Sequence, residues 1–206
     1  MSELLLIRHG RTPWNERGRI QGHRDISLSA LGRAELAGRR IPAEYAHFGW
    51  YASPLARATE TARLLGARDL KTDPRLVELH WGEWQGWTRQ GLREHYGEAF
   101  AENEARGLDF RPPGGESPGE LRRRFQDWLE EVFTTEQAIV AVTHKGVIQM
   151  ALALATGWDL VSRSPVPMDW SRGQLFSVDA TPRRLRARKF NVALEIQVAG
   201  SGEVDP

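Results

Sequence analysis

Two short stretches of uninterrupted apolar residues, Leu4 to Ile7 and Ala138 to Val142, constrain this chain more than anything else in it. Neither alternates polar with apolar, so neither reads as a strand with one wet face. Continuous apolar runs this short belong to strands covered on both sides, the condition of a parallel sheet with helices on each face. The first run passes directly into Arg8-His9-Gly10-Arg11-Thr12, and the second into Thr143-His144-Lys145-Gly146. Each therefore delivers an imidazole to the C-terminal end of a strand, the edge at which open α/β sheets place their ligands.

The segments between supply helices and further strands. Ser29 predicts an N-cap for a helix to about Ile41, with Leu31, Ala34, Gly38 and Ile41 on one face. A strand is expected near Phe48 to Ala52. Ser53-Pro54 then suggests a helix start, the hydroxyl capping and the proline at the first helical position, running to about Leu65. Leu70 to Thr72 reads as a short strand. Glu78 to Pro113 has weak periodicity and is expected to be an irregular excursion over the active face.

Ser117-Pro118-Gly119-Glu120 fits a capping box that opens a helix with Leu121, Phe125, Trp128, Leu129, Val132 and Phe133 at helical spacing. Val147 to Thr156 predicts another helix, and Gln174 to Val178 and Leu185 to Phe190 late strands. Alternation of strand and helix points to an α/β fold, a three-layer α/β/α sandwich with a mostly parallel central sheet. One domain is expected over 1–199, with 200–206 a frayed tail.

Composition narrows the chemistry. Hydrophobic residues make up 40% and charged residues 27% of the 206, a soluble globular balance with no run long enough to span a bilayer. The N-terminus has no basic segment ahead of its apolar run, so a cytoplasmic protein is expected. With no cysteine there are neither disulfides nor thiolate metal sites, and the six histidines include no His-x-x-x-His pair. No metal and no cofactor are expected. The phosphate-binding loop of nucleotide triphosphatases is missing too.

A net charge of +1 offers no strong field to nucleic acid or to an acidic membrane, so neither is an expected partner. Arg122-Arg123-Arg124 belongs to a helix whose arginines should mostly face water, diluted by Asp127, Glu130 and Glu131. Arg183 to Lys189 reads as the outer face of a strand. Selectivity for an anion must come from a local cluster.

Four separated pieces supply one. Arg8 and Arg11 flank His9, and a guanidinium makes paired, charge-assisted bonds to phosphoryl oxygens. Arg57, one turn into the helix after Ser53-Pro54, can lean back toward the same rim. His144 reaches the sheet edge after its own strand. Glu78, in Leu76-Val77-Glu78-Leu79-His80-Trp81-Gly82-Glu83-Trp84, supplies an acid in an aromatic setting able to raise a carboxyl pKa toward neutrality and so to protonate a leaving alkoxide. Either histidine alone would read as structural. The joint pattern reverses that reading.

Arg8-His9-Gly10, Trp14-Asn15, Gln21-Gly22 with Asp25, Leu28-Ser29-Ala30-Leu31-Gly32, Ser53-Pro54-Leu55-Ala56-Arg57-Ala58, Leu76-Val77-Glu78 and Thr143-His144 together resemble the histidine phosphatase, or phosphoglycerate mutase-like, superfamily, in the family's order. The resemblance implies that His9 becomes a phosphohistidine. It further implies that Arg8, Arg57 and His144 bind the phosphoryl oxygens, that Asn15 adds a hydrogen bond with Gln21 beside it, and that Glu78 is the proton donor. It implies no metal.

The chain departs from the family at Arg11, where many relatives carry an acid, and at Lys145, where glycine is common. Both are candidate substrate contacts, as is Glu116 at the rim. Gly115-Glu116-Ser117-Pro118-Gly119 also matches the serine-hydrolase elbow, but Arg111-Pro112-Pro113-Gly114 stands where that elbow needs a buried strand. The expected activity is hydrolysis of a small phosphomonoester. The alternatives are a cofactor-dependent phosphoglycerate mutase, whose basic and proline-rich insertion is not found between Tyr96 and Glu116, and a regulatory module that binds phosphate without turnover. A homodimer is compatible with the sequence, which does not decide the oligomeric state.

Overall fold

The computed structural model describes residues 2–134, 136–179 and 184–196; the tail expected at 200–206 lies outside them. In chain order the elements are β1 (Ser2–Arg8), α1 (Pro13–Glu16), α2 (Ala30–Leu36), β2 (Arg39–Arg40), β3 (Gly49–Ala52), α3 (Ala56–Leu64), β4 (Leu70–Thr72), α4 (Arg89–Tyr96), α5 (Glu98–Glu104), α6 (Pro118–Val132), β5 (Ala138–Thr143), α7 (Lys145–Thr156), β6 (Gly173–Val178), β7 (Leu185–Val192) and β8 (Glu195–Ile196). Six strands form one sheet in the order β4-β3-β5-β1-β6-β7, and β2 pairs with β8 apart from it.

β4, β3, β5 and β1 run parallel, while β6 and β7 close one side antiparallel. The two apolar runs are neighbours in register, Ile7 opposite Val142 and Arg8 opposite Thr143. Both are buried on two faces. Leu4, Leu6, Ile139 and Ala141 pack into one core with Phe125, Trp128 and Phe176, whereas Leu5, Ile7, Val140 and Val142 pack into the other with Leu28, Leu36, Ala58 and Ala62. Helices α6 and α7 thus cover one face and α2 and α3 the other, which makes the three layers.

Several expected boundaries moved, each for a local reason. The helix capped by Ser29 ends at Leu36 rather than near Ile41, because Gly38 takes φ +68 and turns the chain into β2. Ser53 does not cap α3: the helix begins at Ala56, and its first free amide is taken by Asp25 Oδ1 at 2.8 Å, from a loop 31 residues earlier. The stretch read as irregular contains α4 and α5, each short and each burying a single residue, Leu92 and Phe100, too little for a periodic signal. Ser117 caps α6 in a capping box with Glu120 and follows no strand, so the serine-hydrolase reading has no structural support.

Candidate active site

Parallel pairing of β1 and β5 brings their C-terminal ends together, and the backbone bond from His9 N to Thr143 O, 2.9 Å, extends that pairing by one residue. The imidazoles of His9 and His144 consequently lie in one place, ring centroids 5.1 Å apart. β3 ends beside them, Ser53 N donating to Val142 O, so α3 starts at the same edge and carries Arg57 inward.

Gly10 brings the turn into close contact with α2. A Cβ there would lie 2.6 Å from Leu36 Cδ1, and its amide donates to Thr61 Oγ1 on α3 at 2.9 Å.

His9 Nδ1 lies 2.7 Å from Gly10 O. A carbonyl can only accept, so Nδ1 carries the proton and Nε2 keeps its lone pair. Burial, then the charges of Arg57 and Arg8, hold the His9 ring well below the usual imidazole range. His144 is held down in the same way, by burial and then by Arg57 and His9. Both rings are neutral.

Arg57 is fully buried; its Nη1 donates to Arg24 O and its Nη2 to Gly22 O, each at 2.8 Å, and burial lowers its pKa to about 10. Its Nε, Arg8 Nε and both ring nitrogens of His144 have no hydrogen-bond partner. Neutral His144 has one N–H and one lone pair, so three unsatisfied donors, Arg8 Nε, Arg57 Nε and the protonated nitrogen of His144, stand beside His9 and are costly unless an acceptor-rich anion satisfies them.

Glu78 lines the same cavity as Arg8, His9 and Arg57. Its Oε1 accepts from Leu79 N at 2.9 Å and from Gly146 N, the first turn of α7, at 3.0 Å. A Cβ at Gly146 would fall 2.2 Å from that oxygen, so glycine leaves the room the carboxylate occupies. Backbone amides and cations surround the carboxylate; of the aromatics expected near it, Trp84 is turned into the core while Trp81 lines the cavity.

The loop carrying Glu78 is itself held. Arg124 pairs with Glu116 through Nε to Oε1, 2.6 Å, and donates to Arg75 O and Glu78 O at 2.6 and 3.2 Å, while His23 Nε2 reaches Glu78 O at 2.8 Å. Arg124 was expected to face water, and nothing in its sequence neighbourhood marks it otherwise.

A cavity of about 640 Å³ opens over these groups, lined by Arg8, His9, Asn15, Gln21, Arg57, Glu78 and Lys145 among others. Thr12 caps α1, its hydroxyl oxygen accepting from Asn15 N at 3.2 Å while its own backbone N–H donates to Asn15 Oδ1 at 3.1 Å. Two expected contacts do not line it. Arg11 pairs with Glu35 at 3.1 Å on the outer surface, and Glu116 is engaged by Arg124 beneath the Glu78 loop. Arg19, Arg89, Arg93 and Glu104 line it instead, from segments with no periodic signal. Among the described residues no cluster of three or more His, Cys, Asp or Glu could hold a metal ion, and no helix is long and apolar enough to cross a membrane.

The family model for the histidine phosphatase superfamily (branch 1) matches residues 4–193. Phosphoglycerate mutase-like protein 4 of Arabidopsis thaliana is 36% identical over 159 residues, 72% of this chain and 68% of that protein. Phosphoserine phosphatase 1 of Hydrogenobacter thermophilus is 32% identical over 169 residues, 78% and 79% of the two chains. Among solved structures, a mycobacterial glucosyl-3-phosphoglycerate phosphatase in complex with VO3 superposes with a TM-score of 0.76 at 26% identity, over 94% of this chain and 100% of that one. By sequence and by fold, this chain belongs to the histidine phosphatase superfamily.

Proposed function

We propose that the protein hydrolyses small phosphomonoesters, without a metal, through a phosphohistidine on His9. The observation that carries this reading is the neutral His9 Nε2 set among buried, unsatisfied nitrogens of Arg8, Arg57 and His144. In the first step Nε2 attacks phosphorus as the P–O ester bond breaks, its electrons going to the leaving oxygen, which takes a proton from Glu78. In the second, Glu78 takes a proton from water, whose oxygen attacks phosphorus, and the P–N bond electrons return to Nε2. Splitting the transfer this way is covalent catalysis, with the cationic nitrogens stabilising charge in both steps.

Relatives named as phosphatases favour hydrolysis over mutase chemistry. One catalytic unit over 1–199 is favoured by a sheet that recruits strands from β1 to β7 around the site. A net charge of +1 does not favour nucleic acid as a partner, and several basic side chains outside the cavity are paired, Arg33 with Glu60 and Arg172 with Asp169.

The test is p-nitrophenyl phosphate hydrolysis with EDTA present, combined with trapping of enzyme labelled from a radiolabelled phosphomonoester by an alkaline detergent quench. Native protein should turn over undiminished and carry acid-labile, base-stable label. His9→Ala should lose on the order of 10³-fold or more in kcat, together with the label. Activity abolished by chelation, or surviving in His9→Ala, overturns the proposal.

A further inference from the structure

We propose that Arg124 is a positioning residue for the proton donor, its ion pair with Glu116 setting the main chain from which Glu78 reaches the leaving oxygen. The inference rests on the hydrolytic reading above, in which Glu78 is the acid, and adds the groups that aim it.

No side chain among the described residues holds the Glu78 carboxylate. Its hydrogen bonds come from two backbone amides, Leu79 N to Oε1 at 2.9 Å and Gly146 N to Oε1 and Oε2 at 3.0 and 3.3 Å. A carboxylate held in this way follows its own main chain, so its aim is decided by whatever fixes residues 75–80.

Arg124 fixes them from α6. Its Nη1 donates to Arg75 O at 2.6 Å and its Nη2 to Glu78 O at 3.2 Å, so one guanidinium spans the segment that ends in the acid. The rest of the fork goes to Glu116, Nε to Oε1 at 2.6 Å and Nη2 to Oε2 at 2.9 Å. A bidentate pair fixes the plane of the guanidinium as well as its place. Glu116 then grips the far end of the loop, accepting from His80 N at 3.2 Å through Oε2 and donating its own amide to His80 O at 2.8 Å. Gly115 allows that approach, since a Cβ there would fall 2.5 Å from His80 O. From the other side Thr143 Oγ1, at the end of β5, donates to Leu76 O at 2.6 Å. The acid is thereby referenced to the same strand that delivers His144.

Neither Arg124 nor Glu116 lines the cavity, and their side chains are only 20% and 15% exposed. Any effect on the reaction must pass through residues 75–80. An ion pair that served stability alone would need no partners in that loop, whereas this one commits two donors and one acceptor to it. Misplacing a reacting group by about 1 Å can cost on the order of 10²-fold in rate, within the roughly 10²–10⁴-fold that general acid catalysis supplies.

The experiment uses 4-nitrophenyl, phenyl and benzyl phosphate, which are similar in size but release oxygens of rising basicity and so depend increasingly on protonation. The quantity compared is kcat/KM, which stops at the phosphoenzyme and excludes the shared second step. The ratio of 4-nitrophenyl to benzyl kcat/KM should rise about tenfold or more in Arg124→Met, in the direction that Glu78→Gln sets. A merely structural loss would lower all three esters alike and leave the ratio where it was. Arg124→Lys keeps the charge beside Glu116 and so guards the fold, but one ammonium cannot span Arg75 O and Glu78 O together, and the ratio should rise in it too. If Arg124→Met does not fold, Arg124→Lys decides alone. A native ratio in the folded Arg124 variants, while Glu78→Gln raises it, would overturn the inference and leave the acid in place. A ratio unmoved by Glu78→Gln would instead remove Glu78 as the proton donor, and the inference would fall with that reading.

Discussion

His9 and His144 stand uncharged in the fold because burial and two neighbouring guanidinium groups act on them in the same direction. That sign has a consequence for stability. Both pKa values lie below those of the unfolded chain, about 6.5 for free imidazole, so on acidification the unfolded state binds protons first. The stabilisation is fully present above about pH 6.5 and is lost as pH falls toward the depressed folded values. Urea midpoints should therefore fall between pH 8 and pH 5.5, and His144→Asn, which cannot titrate, should show a shallower fall. An unchanged slope in the variant would remove His144 as a source of the effect.

At the scale of elements, the site depends on where α7 begins as much as on which residues it carries. Gly146 sits in the first turn, donates its amide to Glu78 and leaves the space that the carboxylate fills. Alanine is a better helix former by about 1 kcal/mol, yet its methyl would displace the acid. Gly146→Ala should hold or raise the thermal midpoint while kcat falls at least tenfold, since general acid catalysis is worth roughly 10²–10⁴-fold. A calorimetric scan beside steady-state kinetics separates the two effects, and full activity in this variant would argue that Glu78 is not the acid.

Caps made within a few residues were legible beforehand at the same scale. Ser29 bonds Gly32 N and Ser117 bonds Glu120 N, contacts that a local pattern encodes. The cap of α3 was not, because Asp25 reaches it through space and no spacing rule connects residue 25 to residue 56.

Across the whole molecule the formal charge is +1, while the cavity alone holds six cations against two carboxylates. The positive potential is therefore focused at one mouth rather than spread over the surface. For a dianionic phosphomonoester, kcat/KM should fall about tenfold between roughly 0.02 and 0.5 M salt as the screening length shortens, with kcat nearly constant. Stopped-flow or steady-state rates at fixed pH check this, and salt-independent kcat/KM would mean that the field does not guide capture.

Sequence alone determined the parts of this protein governed by short range. Two continuous apolar runs required a sheet covered on both faces, and the residues after them, His9 and His144, were bound to emerge at its C-terminal edge. Which cations line the cavity depended on how distant segments pack. Arg11 and Glu116 were drawn off into pairs with Glu35 and Arg124, while Arg89, Arg93 and Arg19 came into the cavity from stretches with no periodicity. The physical reason is that a strand's direction and burial are written in consecutive residues, whereas the end of a long charged side chain goes to whichever partner folding brings within its reach.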